Sequence, residues 1–235
     1  MPPDYLESAL RSVSWDSLVG EFLATPILPT GLTQCNTRLA VWSKQLENAD
    51  RNNPALSFIR EMQTSGHYVA ILTSLALYKP AAAAIRTLVE TALYYTYFRT
   101  HLVELATLIR DEEYFVQKSE IINYHKLHTA NFVKSQECFG LISRLNRWYS
   151  GISSIVHGQI PGVWVSSHSI ADIKHVAVDL SAVVENFKEG EEIVHQLFLC
   201  TVGQELWDDF SAPAKRRLIF GLSGAIKTKL QLDSA

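Results

Sequence analysis

The chain has 235 residues, 47% of them hydrophobic and 19% charged, with ten Phe, nine Tyr, five Trp and a formal net charge of −3. That apolar payload excludes a disordered polymer and suffices to close a core without staples. The mildly acidic balance excludes a general electrostatic pull toward nucleic acid, while leaving room for a local basic patch.

Helical spacing dominates from the start. Residues 4–24 place Leu6, Leu10, Val13, Leu18 and Phe22 on or near one face, and Pro26, Pro29 and Gly31 punctuate the segment. A second segment, 32–48, carries Leu39, Val41, Trp42 and Leu46. The polar run 48–54 reads as a turn, with Pro54 placed to open the next helix. That helix runs to Leu77, with a bend expected at Gly66.

Pro80 starts a predicted helix of about 30 residues ending near Arg110. Asp111, Glu112 and Glu113 supply acid at the entry to a helix over 112–133, where the macrodipole favours it. Ser135 opens a helix to His157, closed by Gly158. Segment 158–180 departs from the pattern, because Gly158, Pro161 and Gly162 bracket Val163-Trp164-Val165 and 174–179 alternates like a strand. A short hairpin or a loop fits it. Helices over 181–209 and 212–229 complete the chain.

The expected architecture is therefore all-α: one bundle of seven to eight helices over 1–235, with a loop or hairpin insertion near 158–180. The most apolar stretch, Tyr68 to Phe98, is broken by Lys79-Pro80 and interrupted by Arg86 and Glu90. It lacks the roughly 20 uninterrupted apolar residues of a membrane span. The first seven residues carry no basic or apolar run of a signal peptide. Cys35, Cys138 and Cys200 are odd in number and widely spaced, which fits neither a zinc ribbon nor a disulfide framework. The expectation is a cytoplasmic setting without a membrane partner.

The helix ending at His157 is the most informative element. Asn146, Ser150, Ser153 and His157 fall within a wedge of roughly 60° at 100° per residue, opposite Leu141, Leu145, Trp148, Ile152 and Ile155. Solvent faces favour Lys and Glu over these weak helix formers. The stripe, flanked by Arg147 and Tyr149, thus reads either as a surface facing something specific or as a semi-buried seam with His157 as a cap. Arg86 and Glu90 sit at i and i+4 on a helix otherwise apolar on nearly every side. They read as a buried ion pair that fixes register, or as a pair bridging to the stripe.

The combination Arg86-Thr87-Leu88-Val89-Glu90 with Tyr149-Ser150-x-x-Ser153-x-x-x-His157-Gly158 resembles a bacterial family of helical proteins related to the HEPN (higher eukaryote and prokaryote nucleotide-binding) group of abortive-infection and toxin–antitoxin systems. The resemblance covers residues 54–158. It implies a helical effector of bacterial stress or phage defence, acting as a homodimer or other homo-oligomer on RNA or with a cognate protein partner or antitoxin. It also implies metal-independent ribonuclease chemistry without a cofactor. Active members pair an Arg with a His four to six residues later, whereas the nearest Arg before His157 is Arg147, ten positions away. The nearest formal match is Arg60 with His67, which a spacing of seven puts on one helical face. In the first arrangement His157 moves the proton, Arg86 stabilises developing phosphorane charge and Glu90 orients either. Arg60 and His67 are the alternative pair.

Other signals are weaker. His125 and His128 lie at i, i+3 beside Glu120 and Tyr124, and Glu192-Ile193-Val194-His195 matches half of a di-iron motif whose second half is missing. No metal site is expected. Lys215-Arg216-Arg217, Lys227 and Lys229 make the last helix locally basic, which reads as a solvated face or a phosphate contact. A second function class is a non-catalytic interaction module or structural subunit, with an exposed Trp164 as the anchor of its docking groove.

Overall fold

The computed structural model describes residues 3–165 and 167–232. All regular structure among them is helical, with no strand. The chain order is α1 (Pro3–Ser12), α2 (Trp15–Leu23), α3 (Ile27–Ala49), α4 (Leu56–Ser74), α5 (Tyr78–Phe98), α6 (Leu102–Arg110), α7 (Lys118–His128), α8 (Phe132–Glu137) and α9 (Leu141–Val156). It continues with a 3-10 turn (Ile170–Asp172), α10 (Ala177–Cys200), α11 (Val202–Leu206), a second 3-10 turn (Trp207–Asp209), α12 (Ala212–Leu218) and α13 (Gly224–Leu230).

The all-α expectation holds, but the helices are shorter and more numerous than seven to eight. Several of the breaks have an identifiable cause in a side chain or the backbone. The 80–110 helix stops at Phe98 because the Arg99 carbonyl accepts from Asn53 Nδ2 at 2.9 Å, and His101 Nδ1 turns back to the Tyr97 carbonyl at 2.8 Å. Side chains thus take carbonyls that a continuing helix would use. Glu112 and Glu113 do not enter a helix, since Asp111 accepts from the Glu113 N–H at 3.0 Å in a turn. The next helix starts at Lys118 instead, where a capping box pairs Gln117 with Glu120. The predicted 135–157 helix divides at Gly140, whose φ of +59° suits glycine.

Segment 158–180 contains no hairpin among its described residues, only the 3-10 turn. Trp164 is not an exposed anchor: it is 5% exposed and belongs to the core. Helix α4 runs unbroken through Gly66, so the expected bend is absent. Glycine is needed there for another reason, because a Cβ would stand 2.6 Å from Asn36 Oδ1 of α3.

Helix α5 is the centre of the bundle and packs on α4, α10, α9 and α7. Ala81, Ala82 and Ala92 are fully buried along it, and their small side chains let neighbours approach. Helix α9 is keyed onto α10 by Trp148. Its ring occupies the place of a missing side chain at Gly190, where a Cβ would lie 2.7 Å from Trp148 Cζ2, and its Nε1 donates to the Asn186 carbonyl at 3.1 Å. With Trp148 turned to α10, the next residue, Tyr149, is rotated toward α5. No helix among the described residues is long and apolar enough to cross a membrane.

Candidate functional site

Arg86 and Glu90 stand one turn apart on α5, facing Tyr149 of α9 and the exposed His157 that caps the end of that helix. The pair is half-buried, not enclosed, with side chains 22% and 32% exposed. Arg86 Nε donates to Glu90 Oε1 at 3.0 Å, Nη2 donates to the Tyr149 hydroxyl at 3.0 Å, and Nη1 lies 2.7 Å from His157 Nε2. Tyr149 in turn donates its hydroxyl to Glu90 Oε1. A guanidinium carries no acceptor. His157 Nε2 must therefore accept from Arg86, which places the imidazole proton on Nδ1.

Electrostatics follow from this arrangement. Burial pulls the Arg86 guanidinium down, but its bond to Tyr149 and the Glu90 charge outweigh that and hold it above its ordinary value. Burial, then the bond to Glu90, pushes the Tyr149 phenol up, so it stays protonated as a donor.

Lys118, the first residue of α7, completes the site and was not legible from sequence spacing. Its Nζ donates to Asn146 Oδ1 and sits 5.0 Å from the Tyr149 ring centre. Burial lowers its pKa. A cavity of about 420 Å³ opens between α5, α9 and the start of α7, lined by Arg86, Glu90, Tyr94, Phe115, Lys118 and Tyr149 among others. At the other end of the stripe, Lys79 Nζ lies 3.4 Å from where a Cβ at Gly158 would stand. Lys79 is seven residues before Arg86 on α5, a spacing that marks a shared face.

The structure thus gathers Arg86, Glu90, Tyr149 and His157, and reaches Asn146 through Lys118. Ser150 is exposed. Ser153 is half-buried, and its buried hydroxyl oxygen has no hydrogen-bond partner among the described residues. No family model, curated protein or solved structure matches the chain. The residues themselves carry the argument.

Arg60 and His67 are not brought into a shared site. Arg60 pairs with Glu47 at 2.9 Å on the outer surface, while His67 lines a separate groove with Phe22, Leu32 and Asn36. His125 is buried between the hydroxyls of Thr96 and Thr129, at 2.9 and 2.8 Å. His195 is buried and bonded to Trp42 Nε1 at 3.0 Å. Both are core histidines. Among the described residues, no three His, Cys, Asp or Glu side chains cluster so as to hold a metal ion. In the basic segment Lys215 is buried, while Arg216 and Arg217 are exposed.

Proposed function

We propose that this chain is a HEPN-like helical effector of bacterial stress or phage defence that binds and cleaves RNA at the Arg86–His157 site. The observation that supports this is the 2.7 Å contact between Arg86 and His157 at the end of a stripe flanked by Lys79 of α5 near Gly158 and by Lys118 of α7 at Asn146. Three cations and an imidazole against one carboxylate make a local anion site on a chain whose net charge is negative.

The chemistry runs as follows. A phosphodiester oxygen takes over the Arg86 donor that His157 Nε2 now accepts. The freed nitrogen then removes the proton of the adjacent ribose 2′-hydroxyl. The 2′ oxygen bonds to phosphorus and the bond to the 5′ oxygen breaks, leaving a 2′,3′-cyclic phosphate. The departing 5′ oxygen takes a proton from solvent. Arg86 and Lys118 offset the charge on the equatorial oxygens, and the reaction balances without metal or cofactor. Glu90 and Tyr149 act as positioning residues that hold the guanidinium in plane.

The test is incubation of the purified chain with total RNA and with tRNA, followed by analysis of product ends. Wild type should yield 2′,3′-cyclic phosphate ends, and His157→Ala should lose them while unfolding at nearly the same temperature. Equal cleavage by the variant removes His157 from the reaction. A second reading, a non-catalytic interaction module, is favoured by the apolar side chains that α6 and its following loop leave exposed at Val103, Ile109 and Phe115. Binding without cleavage at any protein concentration favours that reading.

A further inference from the structure

From the cavity beside Arg86 we infer a specificity device, which rests on the RNA reading above: the site accommodates one unpaired base and selects bases bearing an exocyclic amine over uracil, through Glu90. Two observations carry it. First, the anion-binding end of the cavity adjoins an aromatic wall. Phe115 is 65% exposed at the rim, and Tyr94, Leu93, Val116 and Ile121 line the interior. An exposed aromatic beside a cationic groove is the arrangement on which single-stranded bases stack. A duplex keeps its bases stacked inside, so it does not offer one.

Second, the Glu90 carboxylate is used on one side only. Oε1 takes the bonds from Arg86 Nε and from Tyr149, and also lies nearest Arg86 Nη2 at 2.9 Å. Oε2 accepts no hydrogen bond from any described residue, in a side chain that lines the cavity. An ionised carboxylate is acceptor-only and is the partner that suits the amine of cytosine. Uracil presents a carbonyl oxygen where cytosine has that amine, and a carboxylate repels it.

Cytosine and uracil have similar rings, so comparing them isolates the amine from stacking. The experiment measures binding of fluorescently labelled, non-cleavable 2′-O-methyl C, A and U oligonucleotides to the full chain at low and at raised salt, with wild type, Arg86→Ala, Phe115→Ala and Glu90→Gln. Wild type should bind the C oligomer about tenfold more tightly than the U oligomer, the scale of one good base-edge contact. Glu90→Gln puts an amide where the carboxylate stands, and should shrink that ratio to about threefold or less. Phe115→Ala, at an exposed position that should not disturb folding, should weaken all three by about tenfold. Equal C and U binding by wild type, or binding lost with Arg86→Ala but unmoved by Phe115→Ala, overturns the base pocket and leaves the phosphate reading standing. Absence of salt-dependent binding to every oligomer sinks both.

Discussion

Arg86 Nη1 and His157 Nε2 are 2.7 Å apart, joining the middle of α5 to the residue that ends α9. The contact ties the state of the histidine to the position of the arginine. An imidazole that accepts from a guanidinium offers no free lone pair at that nitrogen until the arginine turns away, so the base is masked while the anion site is empty.

Replacing Arg86 by Lys should test how much the fork matters. Lysine keeps the charge but cannot reach Glu90, Tyr149 and His157 together. Urea unfolding should show a loss of about 1–2 kcal/mol. An unchanged midpoint would mean that the half-buried network contributes nothing to folding.

The ion pairs should differ sharply in weight. Glu191 is 1% exposed and bonded by both Arg38 Nε and Nη2, at 2.7 and 2.5 Å. Removing Arg38 with Ala strands a buried carboxylate and should cost about 3–5 kcal/mol. Arg60→Ala removes a surface pair and should cost less than about 1 kcal/mol. Parallel urea titrations of the two variants decide the ordering.

Gly190→Ala should destabilise although alanine is the better helix former. The added Cβ would meet Trp148 Cζ2 at 2.7 Å, and overpacking of this kind costs about 1–3 kcal/mol. Because Trp148 sets the rotation of α9, the variant should also disturb the Tyr149 and His157 side chains, visible as shifted resonances at the site.

Acid should weaken the fold through the buried histidines. Burial, with His101 adding to it, pushes His125 down from 6.5 to about 4. Between those values the unfolded chain binds more protons than the folded one, so stability falls as pH falls. The contribution is complete above 6.5 and is lost progressively toward pH 4, to a total of about 3 kcal/mol. His195, also depressed by burial, acts in the same direction. His125→Gln should therefore lose less stability than wild type between pH 7.5 and 4.5 in urea titrations, while an equal loss would rule out His125 as a cause.

The polar groups of the site were legible because they break strong patterns: two charges on an apolar helix, and a stripe of Ser, Asn and His where Lys and Glu would serve better. Their mutual contact was not, since it depends on how Trp148 seats α9 against Gly190. Helix ends were hidden for a related reason. Asn53 stops α5 from 46 positions away, and no local periodicity reveals it. Lys118 looked like any surface lysine until the capping box at Gln117 placed it over the cavity. Trp164, bracketed by Gly and Pro, reads as exposed because such loops usually are; the core instead takes its ring. The Arg38–Glu191 pair spans 153 positions and leaves no signature in either helix alone.

Nitrogen-resolved NMR of His157 at pH 8 reads the masked base most directly. Wild type should show the proton on Nδ1 and an unprotonated, hydrogen-bonded Nε2. Addition of a non-cleavable 2′-deoxy dinucleotide should shift Nε2 toward the free value, and Arg86→Lys should produce that shift without ligand. A His157 spectrum indifferent to both the dinucleotide and the Arg86 substitution would contradict the account.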